Sequence, residues 1–195
     1  MKRLFIKIYL KLLYMFLSLI YDKKYLRGSF FNKEYYTNGW SSAIRFWYSQ
    51  KIQGINKDAP WPCCPQCRVV RPENITFDVN YIDNFFNMGC YFQAIGKITI
   101  GKRTQIAPNV GIITSNHDLL DIDKHMEPKP VSIGDDCWIG MNSMLLPGVS
   151  LGNHTVVGAG SVVTKSFLEG NCVLAGNPAK KIKELPKKYK AEEKS

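Results

Sequence analysis

Residues 133–164 read IGDDCWIGMNSMLLPGVSLGNHTVVGAGSVVT, and within them aliphatic side chains recur at Ile133, Ile139, Leu145, Leu151, Val157 and Val163, one every six positions. A helix repeats every 3.6 residues and a strand every two, so a strict period of six belongs to neither. It belongs to an all-β solenoid, in which short strands alternate with corners and one aliphatic of each hexad points inward. Gly134, Gly140, Gly152 and Gly158 directly follow four of these aliphatics, marking backbone that is crowded or unusual in its dihedrals.

Outward from this stretch, Ile112, Ile106 and Ile100 continue the spacing, and counting back by sixes reaches Ala94, Met88 and Ile82. The coil is therefore expected to begin near Val70 to Thr76. Ile112 and Ile133 are 21 residues apart, three more than three hexads, so a segment at 117–130 must leave the coil. Loops on a rigid scaffold commonly carry the chemistry, which directs attention to that excursion.

The segments GKRTQIAPNVGIITSNHD, VSIGDDCWIGMNSMLLPGVSLGNHTVVGAGSVVTKSF and AGNPAKKIK closely resemble the hexapeptide-repeat O-acetyltransferases, the group of galactoside, maltose, Nod-factor and polysaccharide acetyltransferases. The resemblance spans Val70 to Leu185. It implies a left-handed parallel β-helix with three hexads per coil, assembled as a homotrimer, that transfers acetyl from acetyl-CoA to a hydroxyl and needs no metal. Acyl transfer to an alcohol requires a base for the hydroxyl proton and a site for the oxyanion, and histidine is the natural base near neutral pH.

Three histidines are available. His154 sits at a corner of a regular hexad and reads as a turn residue, while His125 lies in the acidic loop with no evident partner. His117, in TSNHD where the coil breaks, matches the family's catalytic histidine. What orients its ring is open between the adjacent Asp118, a backbone carbonyl and an acid of a facing subunit. By the resemblance an asparagine of the DNFFN segment binds the acceptor sugar, with Asn87 the better match and Asn84 second. Either can equally be an asparagine that satisfies a solenoid corner. Gly89 stands where the family often has a further asparagine. For acetyl-CoA, the resemblance implies backbone groups at Gly140, Met141 and Ala159 on the pantetheine arm, with Trp138 shaping the site. It also implies Thr164, Lys165, Lys180 and Lys181 near the nucleotide phosphates, lysines being suitable point charges for phosphate.

The formal charge of +10 is concentrated at the ends: eight Lys/Arg against one acid in residues 1–33, seven against three in 180–195, and eleven against twelve between. A near-neutral body argues against nucleic acid as a partner. Of six cysteines, Cys63, Cys64 and Cys67 form CCPQC, but no matching Cys or His pair completes four zinc ligands. They read as reduced, structural cysteines of a cytoplasmic protein.

The chain divides into a basic amphipathic helix (1–27), an aromatic-rich cap or linker (28–69), the β-helix domain (70–185) and a charged tail (186–195), with a short helix or tail ending the solenoid. In the first segment Arg3, Lys7 and Lys11 fall in one helical stripe, and Leu4, Phe5, Ile8, Leu12, Met15 and Phe16 form an apolar face. Three readings compete: an interfacial helix on an anionic membrane, a helix packed on the trimer or a partner, and a membrane span, for which the uncharged run from Leu12 to Tyr21 is short. In the second segment Ser41 to Gln50 suits a short helix, and the prolines of APWPCCP end it. Covering the open end of the solenoid is the leading role for this region, and an aromatic sugar platform is the alternative.

Together these features predict a sugar-hydroxyl acetyltransferase whose acceptor is a cell-surface glycan, located in the cytoplasm and peripheral to the inner face of the plasma membrane if residues 1–27 bind lipid. The other readings are an acetyltransferase for a small soluble acceptor (free sugar, antibiotic or serine), a metal-dependent hydratase on the same fold, and an inactive solenoid scaffold.

Overall fold

The structure, a computed structural model, describes residues 2–187. The strands are β1 (Arg68–Val70), β2 (Ile75–Thr76), β3 (Tyr91–Gln93), β4 (Ile98–Ile100), β5 (Gln105–Ile106), β6 (Gly111–Ile113) and β7 (Val131–Ile133). There follow β8 (Trp138–Ile139), β9 (Met144–Leu145), β10 (Ser150–Leu151), β11 (Thr155–Val157), β12 (Val162–Val163), β13 (Cys172–Gly176) and β14 (Ala179–Glu184). The strands form three sheets, ordered β1-β3-β6-β9-β12, β2-β4-β7-β10 and β5-β8-β11-β13-β14, and from β3 to β12 successive strands fall on successive sheets. Every pairing is parallel except β13 with β14.

The register explains the period. Ile133 pairs with Leu151, Ile139 with Val157 and Leu145 with Val163, so one coil is 18 residues and each hexad supplies one face. Across the excursion the same partners stand 33 residues apart (Ile100 with Ile133, Ile106 with Ile139, Ile112 with Leu145). The excursion thus adds to one coil without shifting the next. All nine of these aliphatics are at most 4% exposed, each contributing about 1.5–3 kcal/mol of burial. Small polar side chains line the corners: Ser143 Oγ donates to the Gly140 and Gly158 carbonyls (2.6 and 3.1 Å), and Thr104 Oγ1 donates to Gly134 O (2.7 Å).

Counting back by sixes fails before Ile100. Ile112 pairs with Phe92, twenty residues earlier, so the first coils are longer than 18. Met88 is 62% exposed rather than inward, and Val79–Phe85 forms 3-10 turns instead of a strand. The C-terminal element also differs from the short helix or tail expected. β14 folds back antiparallel on β13 and covers its edge; the expected tail lies beyond this point, and residues 188–195 fall outside the described residues.

Helix α1 (Lys2–Leu17) is shorter than the 1–27 segment, and α2 (Asn38–Trp47) begins three residues before the expected Ser41 and passes into a π-turn through Ile52. Leu10, Leu13 and Leu17 of α1 are buried in the core shared with Trp40 and Phe31, whose rings meet edge-on at 5.1 Å. The aromatics then run into the solenoid, Tyr25 to Trp61 (5.1 Å), Trp61 to Phe85 (5.0 Å) and Phe85 to Phe92 (4.9 Å), the last being the inward residue of β3. Gln50, buried between helix and proline segment, ties this junction. Its Nε2 lies within 3.2 Å of the Asn56, Ala59 and Trp61 carbonyls, and its Oε1 accepts from Cys63 N at 3.0 Å. A buried amide satisfied on both ends holds its surroundings to one geometry.

Candidate active site

The excursion leaves the coil after β6 under tight control. Gln93, at the end of β3, accepts the Thr114 and Ser115 N–H groups on its Oε1 (3.2 and 3.0 Å), and Thr114 Oγ1 donates to the Gln93 carbonyl (2.6 Å). The two legs of the loop then pair: Met126 N donates to Asn116 O (2.8 Å), Asp118 N to Lys124 O (2.8 Å), and Ser115 Oγ to Met126 O (3.0 Å). His117 and His125 face each other across this ladder, their rings 4.2 Å apart and tilted by 38°.

The His117 ring has its partner in the same loop. Nδ1 lies 2.7 Å from the Ile122 carbonyl oxygen. A carbonyl can only accept, so Nδ1 carries the proton and the lone pair sits on Nε2. Of the three sources considered for that contact, the backbone carbonyl is the one observed. Asp118 is engaged elsewhere: its Oδ1 accepts from Leu120 N (2.8 Å) and Asp121 N (3.3 Å) and so holds the turn that delivers Ile122. His125, which the sequence left without a partner, packs its ring against the His117 imidazole. His154 occupies a left-handed corner (φ 56°) with Nδ1 3.2 Å from Asn171 Oδ1, a turn residue as read.

The remaining candidates sort by edge of the triangular coil. Asn84 is buried with its amide spent on the solenoid, Nδ2 donating to Thr104 O (3.0 Å) and Oδ1 accepting from Ile106 N (2.8 Å). Asn87 is half-buried; its Nδ2 donates to Ile106 O (2.6 Å), and its Oδ1 has no partner among the described residues. Gly140, Met141 and Ala159 lie in the turns from the third sheet to the first, as does Asn109, whose N–H reaches Met88 O beside Asn87 (3.0 Å). A Cβ on Gly140 would stand 2.7 Å from Ala159 N, so the two turns stack directly. The Met141 and Ala159 N–H groups have no hydrogen-bond acceptor among the described residues. Trp138, 57% exposed, stands on the third sheet in a row with Gln105 and Val156.

His117, Thr164 and Lys165 lie on a different edge, between the first and second sheets. Lys165 Nζ sits 5.6 Å over the Phe167 ring, and Lys180 is exposed on β14. Lys181 pairs with Glu184 at 2.8 Å, which raises the lysine and lowers the carboxylate. Within one chain, then, His117 stands on one edge and the free turn amides on another, and the hydrogen bonds and ring contacts of His117 reach only Ile122 and His125 among the described residues. Sequence spacing could have shown this, since positions 18 residues apart share an edge and positions six apart do not; it could not have shown the Ile122 carbonyl.

Cys63, Cys64, Cys67 and Cys90 are all buried free thiols, and burial pushes Cys63 and Cys67 well up from the ordinary thiol range and raises Cys90. No group of three or more His, Cys, Asp or Glu among the described residues could hold a metal ion. No helix among them is long and apolar enough to cross a membrane.

Residues 130–165 match the family model of the bacterial transferase hexapeptide (six repeats). A Dictyostelium discoideum protein named as an acetyltransferase is 45% identical over 116 residues, covering 57% of this chain and 60% of its own length. The galactoside O-acetyltransferase of Escherichia coli K12 is 40% identical over 91 residues, covering 45% and 44%. An E. coli K12 protein named for acetylation in colanic acid biosynthesis is 34% identical over 121 residues, covering 62% and 64%. The chain thus spans less than two thirds of these relatives. The resemblance to the hexapeptide-repeat O-acetyltransferases holds in both the repeat and the relatives.

Proposed function

We propose that this protein is an acetyl-CoA-dependent O-acetyltransferase that acetylates a sugar hydroxyl of a cell-surface polysaccharide, with His117 as general base. The observation that carries it is the 2.7 Å contact from His117 Nδ1 to Ile122 O, which fixes the tautomer and leaves Nε2 as the proton acceptor on an exposed loop. The acceptor hydroxyl oxygen attacks the thioester carbonyl carbon as its proton passes to Nε2. The Nδ1–H bond to Ile122 O supports the imidazolium so formed. Collapse of the tetrahedral intermediate breaks the carbon–sulfur bond, and the leaving thiolate takes the proton back from Nε2, giving the acetylated sugar and free CoA.

The separation of His117 from the Asn87, Met141 and Ala159 edge supports a shared site in a homotrimer of left-handed coils. There one protomer presents its base and the neighbour presents the acceptor amide and the unpaired turn N–H groups, which suit the amides and carbonyls of a pantetheine arm. Trp138 would border that arm at the Gly140 turn, and Thr164, Lys165, Lys180 and Lys181 would meet the phosphates, Lys181 at the cost of its Glu184 pairing. Similarity to the colanic acid protein supports a glycan acceptor, and similarity to the galactoside enzyme supports a free sugar as the second reading. Thiol release from acetyl-CoA, followed across glycan and free-sugar acceptors, tests both. His117→Ala is expected to lower turnover by about 10²–10⁴ with trimer mass and CoA binding kept; turnover near wild type would overturn the assignment.

A further inference from the structure

Helix α1 carries two apolar faces, and the fold uses only one. Leu10, Leu13 and Leu17 are buried in the cap. Leu4, Phe5, Ile8, Leu12, Met15 and Leu19 are 49–87% exposed. At 100° per residue, the five of these within the helix occupy an arc of about 100°. Leu4, Phe5, Ile8, Leu12 and Met15 belong to the apolar face that the sequence identified and are turned to solvent, while its sixth member, Phe16, meets Trp47 edge-on at 5.9 Å.

Beside that arc runs a stripe of cations. Arg3, Lys7 and Lys11 succeed one another along the helix, and Lys33 joins them from the following loop. Lys7, Lys11 and Lys33 line a recess of about 170 Å³ floored by Leu10 and Tyr14. Lys33 Nζ lies 5.3 Å from the Tyr14 ring centroid, and Lys7 shares its charge with Glu34 at 3.6 Å. Residues 1–33 carry eight cationic side chains against one acid, whereas the body of the chain is close to neutral.

We propose that α1 docks the protein on an anionic phospholipid bilayer, lying in the plane of the interface with Leu4, Phe5, Ile8, Leu12 and Met15 among the acyl chains and the lysine stripe on the headgroup phosphates. The helix is about 24 Å long, enough to lie along the surface, and no described helix can cross it. An apolar face that merely joined two protein surfaces would have no need of a rim in which Arg3, Lys7, Lys11 and Lys33 outnumber the one acid beside them, Glu34. A basic rim matches a surface of phosphate esters, and such helices bind by apolar insertion and charge together. This goes beyond the acetyl-transfer reading and does not depend on it, because it needs neither His117 nor CoA.

The test is flotation of the full chain with vesicles of phosphatidylcholine alone and of phosphatidylcholine mixed with phosphatidylglycerol, with particle mass followed by light scattering. Binding is expected only with the anionic lipid, falling at least about tenfold in high salt and at least about tenfold in Phe5→Glu/Leu12→Glu, with particle mass and circular dichroism unchanged. Both side chains are exposed, so that variant keeps the packed face. Lys7→Ala/Lys11→Ala is expected to weaken binding to the anionic vesicles in the same direction. Absence of binding to anionic vesicles, or binding indifferent to the double glutamate variant, would overturn the proposal. So would a double variant that loses its oligomeric state, which would assign the face to a second copy of this chain.

Discussion

Gly140 offers a quantitative test of how tightly the coils stack. A methyl group there would stand 2.6 Å from Val157 O, 2.7 Å from Ala159 N and 3.0 Å from Gly158 C, all backbone atoms with no rotamer to yield. Gly140 N already donates to that same Val157 oxygen at 2.8 Å, so the substitution wedges apart the bond that joins one coil to the next. Relief requires moving backbone by about 0.8 Å toward an ordinary contact near 3.4 Å, at the upper end of overpacking costs, about 3 kcal/mol. For a chain of this size that lowers Tm by about 6–12 °C. Two substitutions isolate the cause. Gly158→Ala meets Ala175 Cβ and Leu174 O at 3.3 Å and should cost under about 1 kcal/mol, while Gly160→Ala enters open space at φ +70° and should cost about 1–2 kcal/mol from the left-handed backbone alone. Thermal unfolding by circular dichroism reads all three. A Gly140→Ala protein that melts with Gly158→Ala would refute direct backbone stacking at this corner.

Two further outcomes follow from buried or facing groups. Asp83 has a buried Oδ1 without a hydrogen-bond partner, and desolvation raises its pKa. Its ionised form therefore opposes folding, a cost absent in acid and appearing as pH rises through the raised value. Asp83→Asn should raise Tm by about 2 °C at pH 7, with the gain shrinking as pH falls; equal gains at every pH would contradict it. On the proposed reading of His117 as general base, His125, whose ring lies 4.2 Å from it, is a positioning residue. His125→Ala should lower kcat by about tenfold with KM for acetyl-CoA unchanged, whereas a rise in KM alone would show that it binds substrate instead.

What the sequence disclosed depended on which groups carry a side-chain signature. The aliphatics from Ile100 to Val163 announced three faces and a break, and the pairings follow that count. Met88 defeated it because Phe92, not Ala94, sits opposite Ile112: the first coils are longer, and Phe92 there packs on Phe85 at 4.9 Å. The break singled out His117 as a candidate, but the group that holds its ring is a main-chain carbonyl, which leaves no trace in residue identity. In DNFFN the resemblance ranked Asn87 ahead of Asn84, but only packing shows that the Asn84 amide is consumed by the Thr104–Ile106 backbone while Asn87 keeps an open oxygen. On α1 the helical wheel gave the broader apolar face, yet Leu10, Leu13 and Leu17 on the other side are what the cap buries.

The central claim places the Nε2 atom of His117 beside the sulfur of a bound thioester, in a groove made by two protomers. A crystal structure with CoA measures that separation directly. The account predicts a sulfur within about 4 Å of Nε2, near hydrogen-bond reach, with Nδ1 still on the Ile122 carbonyl and the pantetheine arm on the Met141 and Ala159 amides of the neighbouring chain. CoA bound with its sulfur remote from His117, or held by a lone protomer, would contradict it.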